Sequence, residues 1–182
     1  MFLSKKSFTL IELLIVIAII GILSGVVLAV INPATQRNRS KDAIIVSTLT
    51  KLSLVLSVRY STNLSDPSFV QLMAEVNNLV RCSDSSVPGN GAGNSFIMNG
   101  IDVNWKSSSY CTNGGFYYYQ FAGQPGCIGT MGFTLEQDAG GVMRNVWYVT
   151  NRTGKIKKAA ISGVSMYHMC QNFDDARWTT IN

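Results

Sequence analysis

Residues 8–31 read FTLIELLIVIAIIGILSGVVLAVI, 24 consecutive positions with a single charge, Glu12. At 1.5 Å rise per residue a helix of this length reaches about 36 Å, enough to cross a hydrocarbon core of about 30 Å. A cleavable secretory signal has a shorter apolar core, about 7–15 residues, and a small-x-small cut site behind it. Neither feature fits. The stretch reads as a membrane-crossing helix retained in the mature protein.

Working outward, Lys5 and Lys6 precede the span, while Arg37, Arg39 and Lys41 follow it. The positive-inside rule therefore discriminates little. The four cysteines, Cys82, Cys111, Cys127 and Cys170, all lie beyond the span. None forms a C-x-x-C pair, and His168 is the only histidine, so zinc is disfavoured and two disulfides in an oxidising compartment are expected. That places the C-terminal part outside and the N terminus in the cytoplasm. Glu12 is the anomaly. A carboxylate this far into an apolar helix is costly unless neutralised or paired, and such acids are usually functional. The plainer alternative is a glutamate near a helix start that reaches back to the interface and favours the dipole.

The stretch KKSFTLIELLIVIAIIGIL, residues 5–23, resembles the N-terminal signature of bacterial type IV prepilins. There a short basic leader precedes Phe-Thr-Leu-Ile-Glu and a long apolar run. The resemblance implies a leader over residues 1–7, a cut by prepilin peptidase between Ser7 and Phe8, and methylation of the new Phe8 amine. The family usually has Gly before the cut; Ser7 is also small. It further implies a homo-oligomeric helical filament in which Glu12 faces the N-terminal amine of a neighbouring subunit. An unpaired Glu12 in lipid is then an electrostatic demand that polymerisation meets. An assembly platform and its ATPase would draw subunits from an inner-membrane pool into a filament on the cell surface. Gly21 and Gly25 form a G-x-x-x-G spacing that lets helices approach closely, although Gly is common in membrane helices in any case.

Pro33 removes a backbone donor and disfavours helical geometry at Asn32, so a kink is expected there. Beyond the polar stretch 36–42, Ile45, Leu49, Leu52 and Leu56 recur at i, i+4, i+7 and i+11, an amphipathic face suited to lying under a sheet. Residues 8–60 thus read as one long kinked helix, lipid-facing over 8–31 and amphipathic over 32–60. A head over 61–182 follows. Its expected parts begin with a short helix capped by Asp66, with Pro67 at its first position and Phe69, Leu72, Val76 and Leu79 as its apolar face. Arg81 suits that helix's C-terminal end. A glycine-rich loop at 88–94 and a small hairpin over 96–105 turned at Asn99-Gly100 come next. Four antiparallel strands in meander order, 116–121, 127–135, 143–150 and 155–161, complete it. The fold class is α+β, with a transmembrane and amphipathic N-terminal helix packed under an antiparallel sheet, as in similar pilins.

Cys111 precedes the first of those strands and Cys127 follows the turn at its far end. In an antiparallel pair these positions lie several residues apart at about 3.4 Å each, beyond the roughly 4.4–6.8 Å Cα spacing of a disulfide. That disfavours Cys111–Cys127 and with it Cys82–Cys170. Two pairings remain. The resemblance favours Cys82–Cys111 with Cys127–Cys170, the second tying the C-terminal segment to the sheet as similar pilins staple theirs.

Catalytic chemistry finds little footing. A Ser–His–Asp set would have to use His168, and no nucleophile-elbow or phosphate-cradling glycine motif accompanies it. No cofactor is expected. Asp174 and Asp175 resemble the calcium loop of secretion pseudopilins only loosely, since calcium wants six or more oxygen ligands. The net charge of +5 and the cluster Arg152, Lys155, Lys157 and Lys158 allow contact with an anion or with DNA. A solvated hairpin tip is the plainer account. Two rivals remain to the pilus subunit: a pseudopilin of a type II secretion or DNA-uptake apparatus, and an anchored enzyme with a similar anchor.

Overall fold

The structure, a computed structural model, describes residues 8–30, 32–76, 79–81, 95–98, 115–160, 163 and 165–181. The chain divides into two compact units, Met1–Arg37 and Asn38–Asn182.

In the first unit, α1 spans Leu10–Val30. Its uninterrupted Leu, Ile, Val and Ala content favours helix in an apolar medium, and its 21 residues extend about 32 Å. The second helix, α2, begins in this unit and spans Pro33–Asn63. The structure thus has two helices where the sequence suggests one kinked helix. Asn32 accepts hydrogen bonds at Oδ1 from the Ala34 and Thr35 amides, at 3.1 and 3.2 Å. It acts as an N-cap, with Pro33 at the first helical position, where a missing N–H is harmless. Pro33 starts a helix instead of kinking one, and α2 runs three residues past Tyr60.

The second unit is built on α2 and one antiparallel sheet in the order β1-β2-β3-β4-β5-β6-β7. The strands are β1 Leu79–Arg81, β2 Ser95–Met98, β3 Phe116–Tyr119, β4 Cys127–Gln137, β5 Met143–Asn151, β6 Ile156–Ala159 and β7 Thr179–Ile181. The four expected strands are present as β3 to β6, in the expected meander order. β1, β2 and β7 extend the sheet at both edges. β2 pairs with β1 and β3, while the suggested turn at Asn99-Gly100 and the glycine-rich loop lie outside the described residues. Ile45, Leu49, Leu52 and Leu56 are fully buried against Phe96, Phe116, Tyr118, Ile128, Val146 and Ile156. The amphipathic face therefore lies where its periodicity puts it.

Two further helices differ from the sequence expectation. In α3, Phe69–Glu75, the N-cap is Ser68 and not Asp66: Ser68 Oγ accepts from the Gln71 amide, and the Gln71 side chain accepts from the Ser68 amide. This is a capping box. The helix starts at Phe69, two residues later than expected, and Asp66 instead turns Oδ2 to the Arg152 guanidinium at 2.8 Å. Phe69 and Leu72 are buried on α3, but Val76 is its C-cap, and Leu79 and Arg81 belong to β1. The fourth helix, α4 Met166–Gln171, lies on the other sheet face, where Met166, Met169, Cys170, Phe173 and Trp178 pack with Tyr119 and Val149.

A Cys127–Cys170 disulfide joins β4 to α4, with a Cα–Cα distance of 5.6 Å. It excludes Cys111–Cys127. Cys82 and Cys111 lie outside the described residues. Non-reducing peptide mapping is expected to recover a Cys127–Cys170 peptide and a Cys82–Cys111 peptide. Replacing Cys127 and Cys170 together by Ala should cost about 2–4 kcal/mol of head stability, read as a lower unfolding midpoint. Recovery of Cys82–Cys127 would overturn both assignments.

Candidate functional site

Two places carry the chemistry: the start of α1, which the sequence singles out, and the junction of α2 with the sheet, which it does not.

At the start of α1, Thr9 is followed three residues later by Glu12, the spacing of a capping box. The structure forms one. Thr9 Oγ1 accepts from the Glu12 amide at 3.3 Å, and Glu12 Oε2 accepts from the Thr9 amide at 2.9 Å and the Thr9 hydroxyl at 2.8 Å. The Glu12 carboxylate is thus held at the positive end of the helix, close in sequence to Phe8. The solitary unpaired acid of the sequence reading already has local donors; among the described residues no cation meets it. Sequence reasoning missed this role, although the T-x-x-E spacing displays it.

From Leu10 to Val27 the large apolar side chains of α1 are exposed. Its large apolar side chains range from 44% exposed at Val16 to 87% at Leu10, and Phe8 is 75% exposed. A continuous apolar surface of this size requires lipid or other protein around it. A Cβ added at Gly21 or Gly25 would meet nothing within 4 Å, so both positions are open to an approaching helix. Ser7 lies outside the described residues.

At the α2–sheet junction stands Asp42, a buried carboxylate the sequence reading leaves in a polar stretch. β4 and β5 lose register between Met131 and Leu135. This bulge frees the Phe133 and Thr134 amides from the ladder. Both donate to Asp42, Phe133 to Oδ1 at 2.6 Å and Thr134 to Oδ2 at 3.2 Å. The Thr134 hydroxyl also donates to Oδ2, as does the Tyr148 hydroxyl at 3.0 Å. Burial, and then the Asp42 charge, push the Tyr148 phenol above its ordinary range. Gly132 makes room: a Cβ there would lie 2.5 Å from Tyr148 Cε2 and 3.1 Å from Asp42 Oδ2. Asp42 lies three residues before Ile45, on the same helix face as the apolar series. That spacing was the available signal.

The basic cluster disperses. The Arg152 guanidinium, paired with Asp66, also stacks 3.4 Å from the Tyr60 ring centroid. Lys157 is buried, its ammonium 5.0 Å from the Phe173 ring centroid and 3.9 Å from Asp174. Lys158 pairs with Glu136 at 2.7 Å. Lys155 precedes β6 and is exposed. Three of these four cations are committed within the chain, so they do not present one surface to an anion. Asp175 likewise is engaged by Arg177, whose guanidinium and amide hold its carboxyl below the usual range. His168 Nδ1 lies 3.0 Å from Ser165 Oγ, yet among the described residues no carboxylate meets the ring to complete a triad.

A family model of the prokaryotic N-terminal methylation motif matches residues 3–28. No curated protein and no solved structure matches the chain. The motif is the type IV prepilin signature. The chain is prepilin-like, with a transmembrane-type apolar helix, an antiparallel α+β head and a disulfide staple. The motif in general implies processing by prepilin peptidase and assembly into filaments.

Proposed function

We propose that this chain is a structural subunit of a bacterial type IV pilus. Prepilin peptidase cuts between Ser7 and Phe8, the Phe8 amine is methylated, and α1 holds the subunit in the inner membrane. The assembly platform and its ATPase then feed subunits into a homopolymer whose interior is made of α1 helices. The observation that carries this reading is α1 itself, apolar and exposed from Leu10 to Val27 and opened by the methylation motif. In the filament, neighbouring copies cover that surface, and a neighbour's methylated amine supplies a cation to the Glu12 box. The role is mechanical, not catalytic.

Filaments sheared from cells test it. Intact-mass analysis is expected to show a chain that begins at methylated Phe8, has lost Lys5 and Lys6, and carries a formal charge of +3 instead of +5. Labelled subunits are expected along micrometre-scale surface fibres. Retention of Met1, or confinement of the chain to short periplasmic assemblies, would overturn the pilus reading.

A further inference from the structure

The β4–β5 hairpin carries more than a turn. β3 pairs with β4 only from Tyr117↔Gly129 to Tyr119↔Cys127, and β6 pairs with β5 only from Trp147↔Ala159 to Thr150↔Ile156. Beyond these limits, Leu135, Glu136 and Gln137 pair with Asn145, Arg144 and Met143 alone among the described residues. The result is a ribbon that is two-stranded among the described residues, with Glu136 to Ala139 sharing a cleft with Lys158, Ala160, Arg177 and Thr179. Ribbons exposed in this way are normally polar. This one presents Leu135, Val142 and Met143, each about half exposed at 51%, 49% and 52%, beside their exposed cross-strand neighbours Asn145 and Gln137, and Gly140 and Gly141 in its turn add no polar side chain.

The contacts of α2 fix which end of the head the ribbon occupies. Asp42 and Lys41 touch the ribbon's base, at Phe133, Thr134 and Tyr148. Further along, the Ser53 hydroxyl donates to the Asn151 carbonyl at 2.7 Å, and Tyr60 meets Arg152. α2 and β5 therefore advance together from Tyr148 to Arg152. The ribbon extends the opposite way, past Asp42, toward the end where α2 enters this unit. Arg39 is exposed at that end, and the Lys41 ammonium sits 4.7 Å from the Phe133 ring centroid. The ribbon's own acids are already engaged, Glu136 by Lys158 and Asp138 by Arg144 and the Val142 amide.

We propose that this end of the head rests on an anionic lipid surface, with Leu135, Val142 and Met143 entering the boundary between headgroups and acyl chains. Arg39 and Lys41 meet the lipid phosphates. This rests on the reading of α1 as a membrane span. Eleven residue steps separate Val27 from Asn38, about 40 Å at full extension and about 17 Å as helix, so the chain keeps this end within reach of the bilayer. Among the described residues Arg39 and Lys41 meet no carboxylate, and these two cations beside the single buried acid Asp42 favour a bilayer over a second copy of the head, whose charge there is the same. A subunit held by a span and a second surface contact has a restricted orientation before it is polymerised.

The test uses the full chain reconstituted at low density in vesicles containing phosphatidylglycerol. Nitroxide labels are placed in separate Met143→Cys, Lys155→Cys and Leu23→Cys variants. Accessibility to oxygen, which partitions into lipid, is compared with accessibility to a water-soluble nickel chelate. Positions 143 and 23 are expected to shift toward oxygen and position 155 toward nickel. Exchanging phosphatidylglycerol for phosphatidylcholine, or introducing Arg39→Gln with Lys41→Gln, should return position 143 toward nickel. Position 143 reading like 155 while 23 remains in lipid overturns this inference alone; position 23 reading as aqueous overturns the span beneath it. A shift at 143 that appears only at high protein-to-lipid ratio assigns the ribbon to a second copy and also overturns the lipid contact.

Discussion

Asp42→Ala is expected to lower the stability of the head by about 3–5 kcal/mol, more than most single substitutions. The alanine leaves the amides of Phe133 and Thr134 and the hydroxyls of Thr134 and Tyr148 without their acceptor. Each buried donor stranded in this way costs about 1–3 kcal/mol, reduced where a hydroxyl can turn to another partner or water can enter. The bulge cannot simply close to rescue the amides, because β4 has three residues between Met131 and Leu135 where β5 has one between Trp147 and Asn145, so restoring register would slide every following pair by two residues. Asp42→Asn keeps one acceptor but points an amide at donors, so its loss should be smaller, about 1–3 kcal/mol. Tyr148→Phe removes a single donor and should cost about 1 kcal/mol. Urea unfolding of the detergent-solubilised chain, followed by tryptophan fluorescence, orders the three variants. A loss below about 1 kcal/mol for Asp42→Ala would mean that the carboxylate is not what holds α2 to the bulge.

The same residue shows where sequence reading stops. The apolar series from Ile45 to Leu56 is legible because hydrophobic burial needs only the right face, and 3.6-residue periodicity supplies it. The four central strands are legible for a similar reason: alternation and glycine turns, such as Gly154 at φ +81° between β5 and β6, mark their limits. Asp42 breaks that pattern. Its burial depends on a bulge ninety residues away, and nothing local announces a bulge. The scattering of Arg152, Lys155, Lys157 and Lys158 is likewise tertiary: a charge run in sequence becomes four separate environments once β6 lies between Phe173, Glu136 and the end of β5. The Asp66 cap failed through competition. Asp66 and Ser68 both precede α3, and the box of Ser68 with Gln71 satisfies two backbone amides reciprocally, which starts the helix at Phe69 and leaves Asp66 to meet Arg152. At α1 the signature was legible, but attention to the charge of Glu12 concealed the hydrogen bonds that the same spacing dictates.

Glu12→Gln is expected to abolish filaments while leaving the start of α1 intact. The capping box accepts either Glu or Gln at its third helical position, so the amide oxygen can still take the Thr9 amide and hydroxyl that Glu12 Oε2 takes. What the substitution removes is the negative charge. If that charge pairs with a neighbour's Phe8 amine in a low-dielectric filament interior, a neutral partner strands the incoming ammonium. A buried cation without its counter-charge is costly enough to stop incorporation. Glu12→Ala removes both charge and box; it should also block assembly, with some fraying of the first turn. Thr9→Ala supplies the opposite case. It deletes the cap hydroxyl, at about 0.5–2 kcal/mol to the helix start, but keeps the charge, and filaments should form at reduced yield. All three variants should remain in the membrane fraction, because the apolar length of α1 is untouched. Each is expressed as the sole pilin, and sheared filament protein is compared with membrane-pool protein. Normal filament yield from Glu12→Gln, with loss only in Thr9→Ala and Glu12→Ala, would assign Glu12 to capping alone and remove charge pairing from the assembly step.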